Sequence, residues 1–226
     1  MTQVDARMAG QSLASKGLYQ LVRTLVEVIC RVWNRVTVDG KEHLPRTGPY
    51  ILAPVHRSNI DTPYASVVSP RRRLRFMGKD SLWKHRWAAW FLSAVGGFPV
   101  TRGTADREAL ERCLDVLAHG EPLVVFPEGT RQHGPLITPL FEGAAWLSVK
   151  TGAPIVPLGI GGSERVQPKG SKMVWPRKVH LIVGEPMYPP AGLTGKAARQ
   201  ASKQMTAELH EELQRLFDLA RLRARA

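Results

Sequence analysis

Two side chains that could act together as a base, His56 and Asp61, lie five residues apart. They follow the apolar run 50–53, which is typical of a buried strand. A carboxylate that accepts a hydrogen bond from an imidazole fixes the imidazole tautomer and stabilises the imidazolium. The pair therefore predicts general-base activation of a hydroxyl or a similar nucleophile.

The spacing of this pair restricts where each residue can sit. On one regular helix, residues five apart are rotated by roughly 140° and would not face each other. Pro63 is tolerated only in the first turn of a helix. We therefore expect His56 on a loop and Asp61 at the helix entrance, with Ser58, Asn59 and Asp61 as candidate N-cap residues. The alternative interpretation is that Asp61 only caps the helix and that His56 is an ordinary loop histidine.

The remainder of the chain alternates strand-like and helix-like segments, which predicts an α/β fold with a mixed, largely parallel central sheet flanked by helices. Strands or extended segments are expected at 36–38, 50–53, the end of 71–79, 96–102, 123–126, 155–160 and 179–183. Helices are expected at 11–35, 62–68, 104–119, 143–151 and from residue 193 onward.

In sheets of this kind, ligands gather beyond the carboxyl ends of the strands. Those ends carry His56, Lys79, Arg102 and the run Glu128–Arg131. Within that run, Gly129 permits a tight turn, and Arg131 can clamp a phosphate through two hydrogen bonds. Glu128 can accept a hydrogen bond from a hydroxyl or orient a neighbouring arginine. We expect these groups to converge on one edge of the sheet.

Composition points to an anionic partner, because the net charge is +13. Nucleic acid, an anionic membrane surface and a phosphorylated substrate each fit, and a solvated basic surface is the alternative. Two cysteines give no disulfide framework, and no Cys/His spacing indicates a metal site. The first twelve residues lack the apolar core of a signal peptide. The longest uncharged apolar-rich run, 87–101, is shorter than the roughly 20 residues of a membrane span.

The sequence predicts two parts, an N-terminal segment, residues 1–35, and an α/β domain, residues 36–226. The helical pattern of the N-terminal segment combines an apolar stripe with charged residues every four positions, at Arg23, Glu27, Arg31 and Arg35. Such a helix either packs on its own domain or lies at a membrane interface, with basic residues at headgroup level. Further along, Trp83, Trp87, Trp90 and Phe91 recur at helical spacing, a stripe that usually belongs to a core but also suits a ligand channel or a membrane interface.

Four ordered segments resemble the motifs of the glycerolipid acyltransferase family, best represented by the 1-acyl-sn-glycerol-3-phosphate (lysophosphatidate) acyltransferases. The first is a histidine, four residues and an aspartate, and the third is Phe-Pro-Glu-Gly-Thr-Arg. The second ends an extended segment in arginine, and the fourth is a Val-Pro in a late strand. In this sequence they are residues 56–61, 97–102, 126–131 and 156–160. The resemblance covers about residues 36–183.

The resemblance implies transfer of an acyl group from acyl-CoA or acyl-carrier protein to the free hydroxyl of 1-acyl-sn-glycerol-3-phosphate, which gives phosphatidic acid. His56 would be the general base and Asp61 its orienting partner. Arg102, Gly129, Thr130 and Arg131 would hold the glycerophosphate, Glu128 would order that site, and Lys79 would help to bind phosphate. No cofactor or metal is implied, and the protein would attach peripherally to the cytoplasmic face of the cell membrane.

Three positions depart from the family pattern. The residue after Lys79 is aspartate, Pro99 replaces a residue that is often aromatic, and Gln132 stands where a small hydroxylated residue is common. The tetrahedral oxyanion of acyl transfer needs hydrogen-bond donors, and the backbone N–H of Gly129 is one candidate. A covalent acyl-enzyme is unnecessary, because Cys30 and Cys113 lie outside the motifs.

Other functions remain open from the sequence. The acceptor could be glycerol-3-phosphate or another lysolipid, and a hydrolase could use the same base. A non-catalytic protein that binds nucleic acid or anionic lipid would explain the charge. It would leave the His–Asp pair without a task, and no nucleic-acid module is visible.

Overall fold

Seven strands in the described part of the chain form a single sheet. The computed structural model describes residues 13–69, 72–100, 107–168, 170–171 and 173–225. The strands are β1 Thr37–Asp39, β2 Ile51–Pro54, β3 Arg75–Lys79, β4 Gly97–Val100, β5 Leu123–Val124, β6 Ile155–Gly161 and β7 His180–Val183. The helices are α1 Leu13–Trp33, α2 Asp61–Val68, α3 Arg86–Ala94, α4 Arg107–Ala118, α5 Gly143–Thr151, α6 Ser163–Val166 and α7 Gly195–Arg225.

The strand order is β1-β7-β6-β2-β5-β3-β4. Neighbouring strands are parallel except β6 and β7, which are antiparallel. Strands β2 to β6 therefore run in one direction, and β1 and β7 run in the other. This confirms the predicted mixed, largely parallel sheet with flanking helices. Strand β2 lies in the middle and is buried along its whole length, as expected for a strand covered on both faces.

Side chains alternate between two cores on opposite faces of the sheet. Ile51 and Ala53 of β2 join the cluster that includes residues of α4, α5 and α7. Leu52 joins the cluster that includes residues of α1 and α2. Helix α7 lies almost on the backbone of β6, because a Cβ added at Gly161 would stand 2.2 Å from the carbonyl carbon of Ala220. This contact attaches the long C-terminal helix firmly to the sheet.

Helix α1 turns Arg23 and Glu27 toward the protein and most of its apolar stripe outward, whereas Arg31 is exposed. Arg23 and Glu27 are half-buried and form an ion pair at 3.2 Å. Helix α1 packs against α2, whereas Leu25 is 57% exposed. The other exposed apolar residues of α1 are Leu21, Val28, Ile29, Val32 and Trp33. The helix thus packs on its own domain, as one of the two interpretations predicts, and it still presents an exposed apolar face.

The aromatic stripe at helical spacing is not a core stripe. Trp87 is 74% exposed, and Trp90 is also exposed. Trp83 is the member that packs, since its indole N–H donates to Ser93 Oγ at 3.1 Å. None of the helices in the described ranges is long and apolar enough to cross a membrane.

Candidate active site

The predicted juxtaposition of His56 and Asp61 is present. Strand β2 ends at Pro54 and α2 begins at Asp61, so His56 lies on the connecting loop. Its Nδ1 atom is 3.1 Å from Oδ2 of Asp61. The loop leaves the carboxyl end of the central strand, where α/β folds bind their ligands.

Asp61 shapes this loop rather than capping the helix. Its Oδ2 accepts hydrogen bonds from the backbone N–H groups of Arg57 and Ser58, both at 2.6 Å. The residue at the N-cap of α2 is Ile60, which makes no side-chain cap hydrogen bond. The interpretation of Ser58, Asn59 or Asp61 as the cap is therefore wrong, and the buried carboxylate holds the loop around His56.

The surroundings of the imidazole select one tautomer. An ionised carboxylate only accepts hydrogen bonds, so Asp61 favours the proton on Nδ1 and leaves the lone pair on Nε2. The Phe126 ring stacks on the imidazole with centroids 4.1 Å apart and 30° between the planes. The His56 side chain is 13% exposed. Its second nitrogen is thus poised to take a proton from a bound molecule.

The loop after β5 docks directly on the histidine. The backbone N–H of Gln132 donates to the carbonyl of His56 at 2.9 Å. In return, the backbone N–H of His56 donates to Oε1 of Glu128, also at 2.9 Å. Strand β5 is the neighbour of β2 in the sheet, which explains why these two loops meet. The predicted convergence on one sheet edge holds for both loops.

Glu128 lies beneath the site and supports both loops. Its buried carboxylate pairs with Nη1 of Arg57 at 2.7 Å and 2.9 Å. Thr138 Oγ1 donates to the same carboxylate at 3.3 Å. Both oxygens of Glu128 are therefore occupied by the protein. Of the two roles allowed from sequence, the structure shows the orientation of an arginine, and that arginine is Arg57.

Sequence reasoning missed Arg57 as a member of the site. Its side chain is buried, its Nη2 donates to the carbonyl of Leu136 at 3.0 Å, and its guanidinium lies 4.8 Å from the Phe217 ring centroid. A cation buried between a β-strand and a helix needs a carboxylate partner. That requirement, with Glu128 as the carboxylate of the adjoining loop, was the signal that could have identified the pair.

The next three residues of the second loop are exposed. Gly129 has a left-handed backbone with φ of 69°, and an added Cβ would stand 2.7 Å from the Phe141 ring. Its N–H donates to the carbonyl of Phe126 at 3.0 Å, so the expectation that this group binds the oxyanion is wrong. Thr130 Oγ1 accepts from Gln132 at 3.1 Å. Arg131 makes no hydrogen bond or ion pair with the described part of the chain.

Two other cations were predicted to bind phosphate, Lys79 and Arg102. Lys79 ends β3 at the same edge of the sheet as His56. Arg102 lies outside the described residues. The neighbouring basic run is structural: Arg72 donates to the carbonyls of Gly48 and Gly120, and Arg75 pairs with Glu121 at 2.5 Å. Those arginines precede or begin β3, so they lie at the opposite edge from His56.

The cysteines are unsuited to nucleophilic catalysis. Burial, helped by the charge of Glu27, raises the pKa of Cys30 to about 11, so its thiol stays protonated at neutral pH. Cys113 is also buried, and its thiol donates to Met77 Sδ at 3.5 Å. Neither cysteine is therefore a nucleophile that the His–Asp pair could activate.

An α/β sheet presents a carboxylate-oriented histidine at its carboxyl edge, beside a loop with an exposed arginine, and such a histidine can act as a general base. The chain belongs to the acyltransferase family, whose model matches residues 35–161, more than half of its length. This confirms the resemblance drawn from the motifs.

Three relatives illustrate the match. The 1-acyl-sn-glycerol-3-phosphate acyltransferase of Bacillus subtilis (strain 168) is 26% identical over 199 residues, which cover 88% of this chain and 96% of that protein. A chloroplastic enzyme of the same name from Brassica napus is 27% identical over 71% of this chain and 49% of its own length. The crystal structure of the 1-acyl-sn-glycerophosphate (LPA) acyltransferase PlsC from Thermotoga maritima matches with a TM-score of 0.68 and 25% identity, over 90% of this chain and 84% of that one.

Proposed function

We propose that this acyltransferase moves a fatty acyl group from a thioester donor to the free hydroxyl of 1-acyl-sn-glycerol-3-phosphate and releases phosphatidic acid. The observation that carries the proposal is the His56–Asp61 pair at 3.1 Å, held at the carboxyl edge of β2. The names of the relatives supply the substrate class. Acyl-CoA or acyl-carrier protein is the co-substrate, and no further cofactor takes part.

His56 acts as the base in the proposed reaction. Its Nε2 removes the proton of the acceptor hydroxyl while that oxygen attacks the thioester carbonyl. Asp61 accepts from Nδ1 throughout and stabilises the imidazolium that forms. Collapse of the tetrahedral intermediate expels the thiolate, which takes the proton from His56. General-base action of this kind contributes about 10²- to 10⁴-fold in rate.

The acceptor phosphate is assigned first to the exposed Arg131. Arg131 has a guanidinium free of described partners and follows Gly129 and Thr130 in the loop docked on His56. Arg102 and Lys79 complete the assignment from the motifs. Because Arg72 and Arg75 are engaged in structural contacts at the opposite edge, they do not compete for this role.

An acyl-transfer assay of the purified protein tests the proposed function. The assay pairs acyl-CoA and acyl-carrier protein with 1-acyl-sn-glycerol-3-phosphate, glycerol-3-phosphate and a lysolipid that lacks an exposed phosphate. We expect the highest kcat/KM with 1-acyl-sn-glycerol-3-phosphate. Faster reaction with glycerol-3-phosphate would reassign the acceptor, and thioester loss without any acceptor would indicate a hydrolase.

Replacement of the two motif arginines should raise the acceptor KM selectively. A charge-assisted pair with phosphate contributes roughly 1.5–3 kcal/mol, so Arg131→Ala and Arg102→Ala should each raise that KM by about 10- to 150-fold. The donor KM should stay nearly constant, and lysine should rescue only partly because it lacks the two-pronged geometry. Steady-state kinetics with each substrate varied at saturating levels of the other measures both constants. A selective rise in the donor KM would instead assign these arginines to the donor.

The proposal places the enzyme on the cytoplasmic face of the cell membrane, attached peripherally and without a nucleic-acid partner. Residues 1–35 form its membrane-facing segment and residues 36–226 its catalytic domain. Support comes from the exposed apolar residues of α1, such as Leu25, next to the exposed Arg31. Apolar area and basic charge together favour an anionic interface. Such a position also suits an acceptor that is itself a membrane lipid.

A further inference from the structure

The loop between β6 and β7 exposes an apolar triplet, Met173, Val174 and Trp175. Met173 is 60% exposed and Trp175 is 46% exposed. Two backbone carbonyls of the triplet are nevertheless held by hydrogen bonds. The carbonyl of Val174 accepts from the indole N–H of Trp33 at 3.1 Å, and that of Trp175 accepts from Asn34 Nδ2 at 3.0 Å. Val174 and Trp175 are therefore tied to the end of α1 and the residue after it, while the large apolar side chains of the triplet are left in solvent.

The loop stands at the same edge of the sheet as the catalytic pair. Strand β6 is parallel to β2, so the chain leaves both strands at one edge. A hydrogen bond of 3.0 Å from Ser58 Oγ to the carbonyl of Gln167 joins the two loops directly. Helix α1 ends at that edge as well, since it leads into β1, whose first residue Thr37 lies beside His180 at the start of β7.

Basic residues surround the exposed triplet. The segments 28–38 and 165–178 contain no acidic residue, and each contains Lys or Arg. Arg31, Arg35 and Arg177 are exposed. Exposed tryptophan beside arginine is the composition of a membrane interface, where the indole sits at headgroup level and the cations meet anionic lipid. The exposed apolar side chains and the neighbouring arginines together fit an anionic bilayer.

We propose that Met173–Trp175 is a second lipid-contacting element, which acts with Val32 and Trp33 to seat the catalytic edge on an anionic bilayer. The lysolipid acceptor then reaches His56 from the membrane without passing through bulk water. This inference rests on the proposed acylation of a membrane lipid and extends the attachment through α1 to the edge that carries the chemistry.

The test compares Trp175→Ala with Tyr188→Ala. Tyr188 is 70% exposed but lies at the opposite edge, next to Met187, which pairs with Ile155 at the start of β6. Vesicles of phosphatidylglycerol and phosphatidylcholine provide the surface. We expect Trp175→Ala to weaken vesicle partition by about tenfold, because the variant no longer buries one large apolar side chain in the bilayer. It should also raise the KM for acceptor presented in vesicles, with kcat/KM for a short-chain, monomeric lysophosphatidate unchanged.

Four outcomes would overturn the inference. Trp175→Ala could behave like Tyr188→Ala, or it could impair reaction with both forms of acceptor, which would indicate damage to the site. Met173→Ser repeats the test without altering the indole. Leu25→Ser distinguishes the contact through α1 from the contact through the triplet. If only Leu25→Ser weakens vesicle partition, α1 attaches the protein to the membrane and the triplet has no role. If the wild-type protein acylates monomeric acceptor but does not partition, both membrane contacts fail and the proposed reaction stands.

Discussion

His56→Ala should lower kcat by about 10²- to 10⁴-fold while the protein remains folded, because the variant loses the only base held by a buried carboxylate at the carboxyl edge of β2 among the described residues. Donor and acceptor KM values should change little, since the imidazole serves the transition state. The measurement is the steady-state rate at saturating substrates, with far-UV circular dichroism as the check on folding. The exposed His133 provides a matched control, and His133→Ala should leave the rate unchanged.

The hydrogen bonds of Asp61 allow a second prediction, for the variant Asp61→Asn. A single oxygen, Oδ2, accepts from His56, Arg57 and Ser58. Asparagine could present its carbonyl oxygen at that position, so Asp61→Asn should keep the loop and lose only the charge that stabilises the imidazolium. We expect a smaller loss of kcat than for His56→Ala. If His56→Ala kept more than about a hundredth of the wild-type kcat, the general-base assignment would be wrong.

Glu128→Ala should have the largest effect on stability. It leaves the Arg57 guanidinium buried without its carboxylate, and breaking such a pair costs about 3–5 kcal/mol. For a protein of this size, the melting temperature should fall by roughly 6–20 °C. Thermal denaturation and urea titration measure the loss. The reason is desolvation, because the buried Arg57 guanidinium would be left without an ionic partner.

The Arg75–Glu121 pair supplies the control for that measurement. It has similar chemistry, but its carboxylate is 32% exposed against 0% for Glu128, so removing Glu121 lets solvent reach Arg75 and Glu121→Ala should cost less. The double variant Arg57→Met/Glu128→Leu should be more stable than Glu128→Ala, since no buried charge remains unpaired. Equal losses for Glu128→Ala and Glu121→Ala would contradict the view that the buried pair supports the catalytic loops.

Most regular elements and the contact between His56 and Asp61 could be predicted because each depends on local rules. The apolar run of β2, Pro63 and the five-residue spacing were sufficient to place His56 on a loop and Asp61 at a helix entrance. The ordered motifs identified the family. These signals lie in short stretches, where period and backbone restriction act directly.

The missed features depend on contacts between distant parts of the chain. Arg57 looked like an ordinary loop residue until Glu128 and Phe217 surrounded it. The sequence alone could not show that the backbone N–H of Gly129 donates a hydrogen bond within its own turn, to the carbonyl of Phe126. Helix α1 shows the limit of sequence periodicity. The pattern reveals that an apolar face and a charged face lie on opposite sides of the helix, but it does not show which face packs against the protein. The half-buried Arg23–Glu27 pair settled that choice.

The contact between Arg57 and Phe217 also links catalysis to the order of folding. Phe217 belongs to α7, and Arg57 precedes it by most of the chain, so their meeting is among the most non-local events in folding. Until α7 docks on β6, the Arg57 guanidinium is not covered by the Phe217 ring. The loops around His56 then lack one of the contacts that hold them in place. A refolding chain should therefore recover its helical signal before its turnover, and the appearance of activity should report the docking of the last helix.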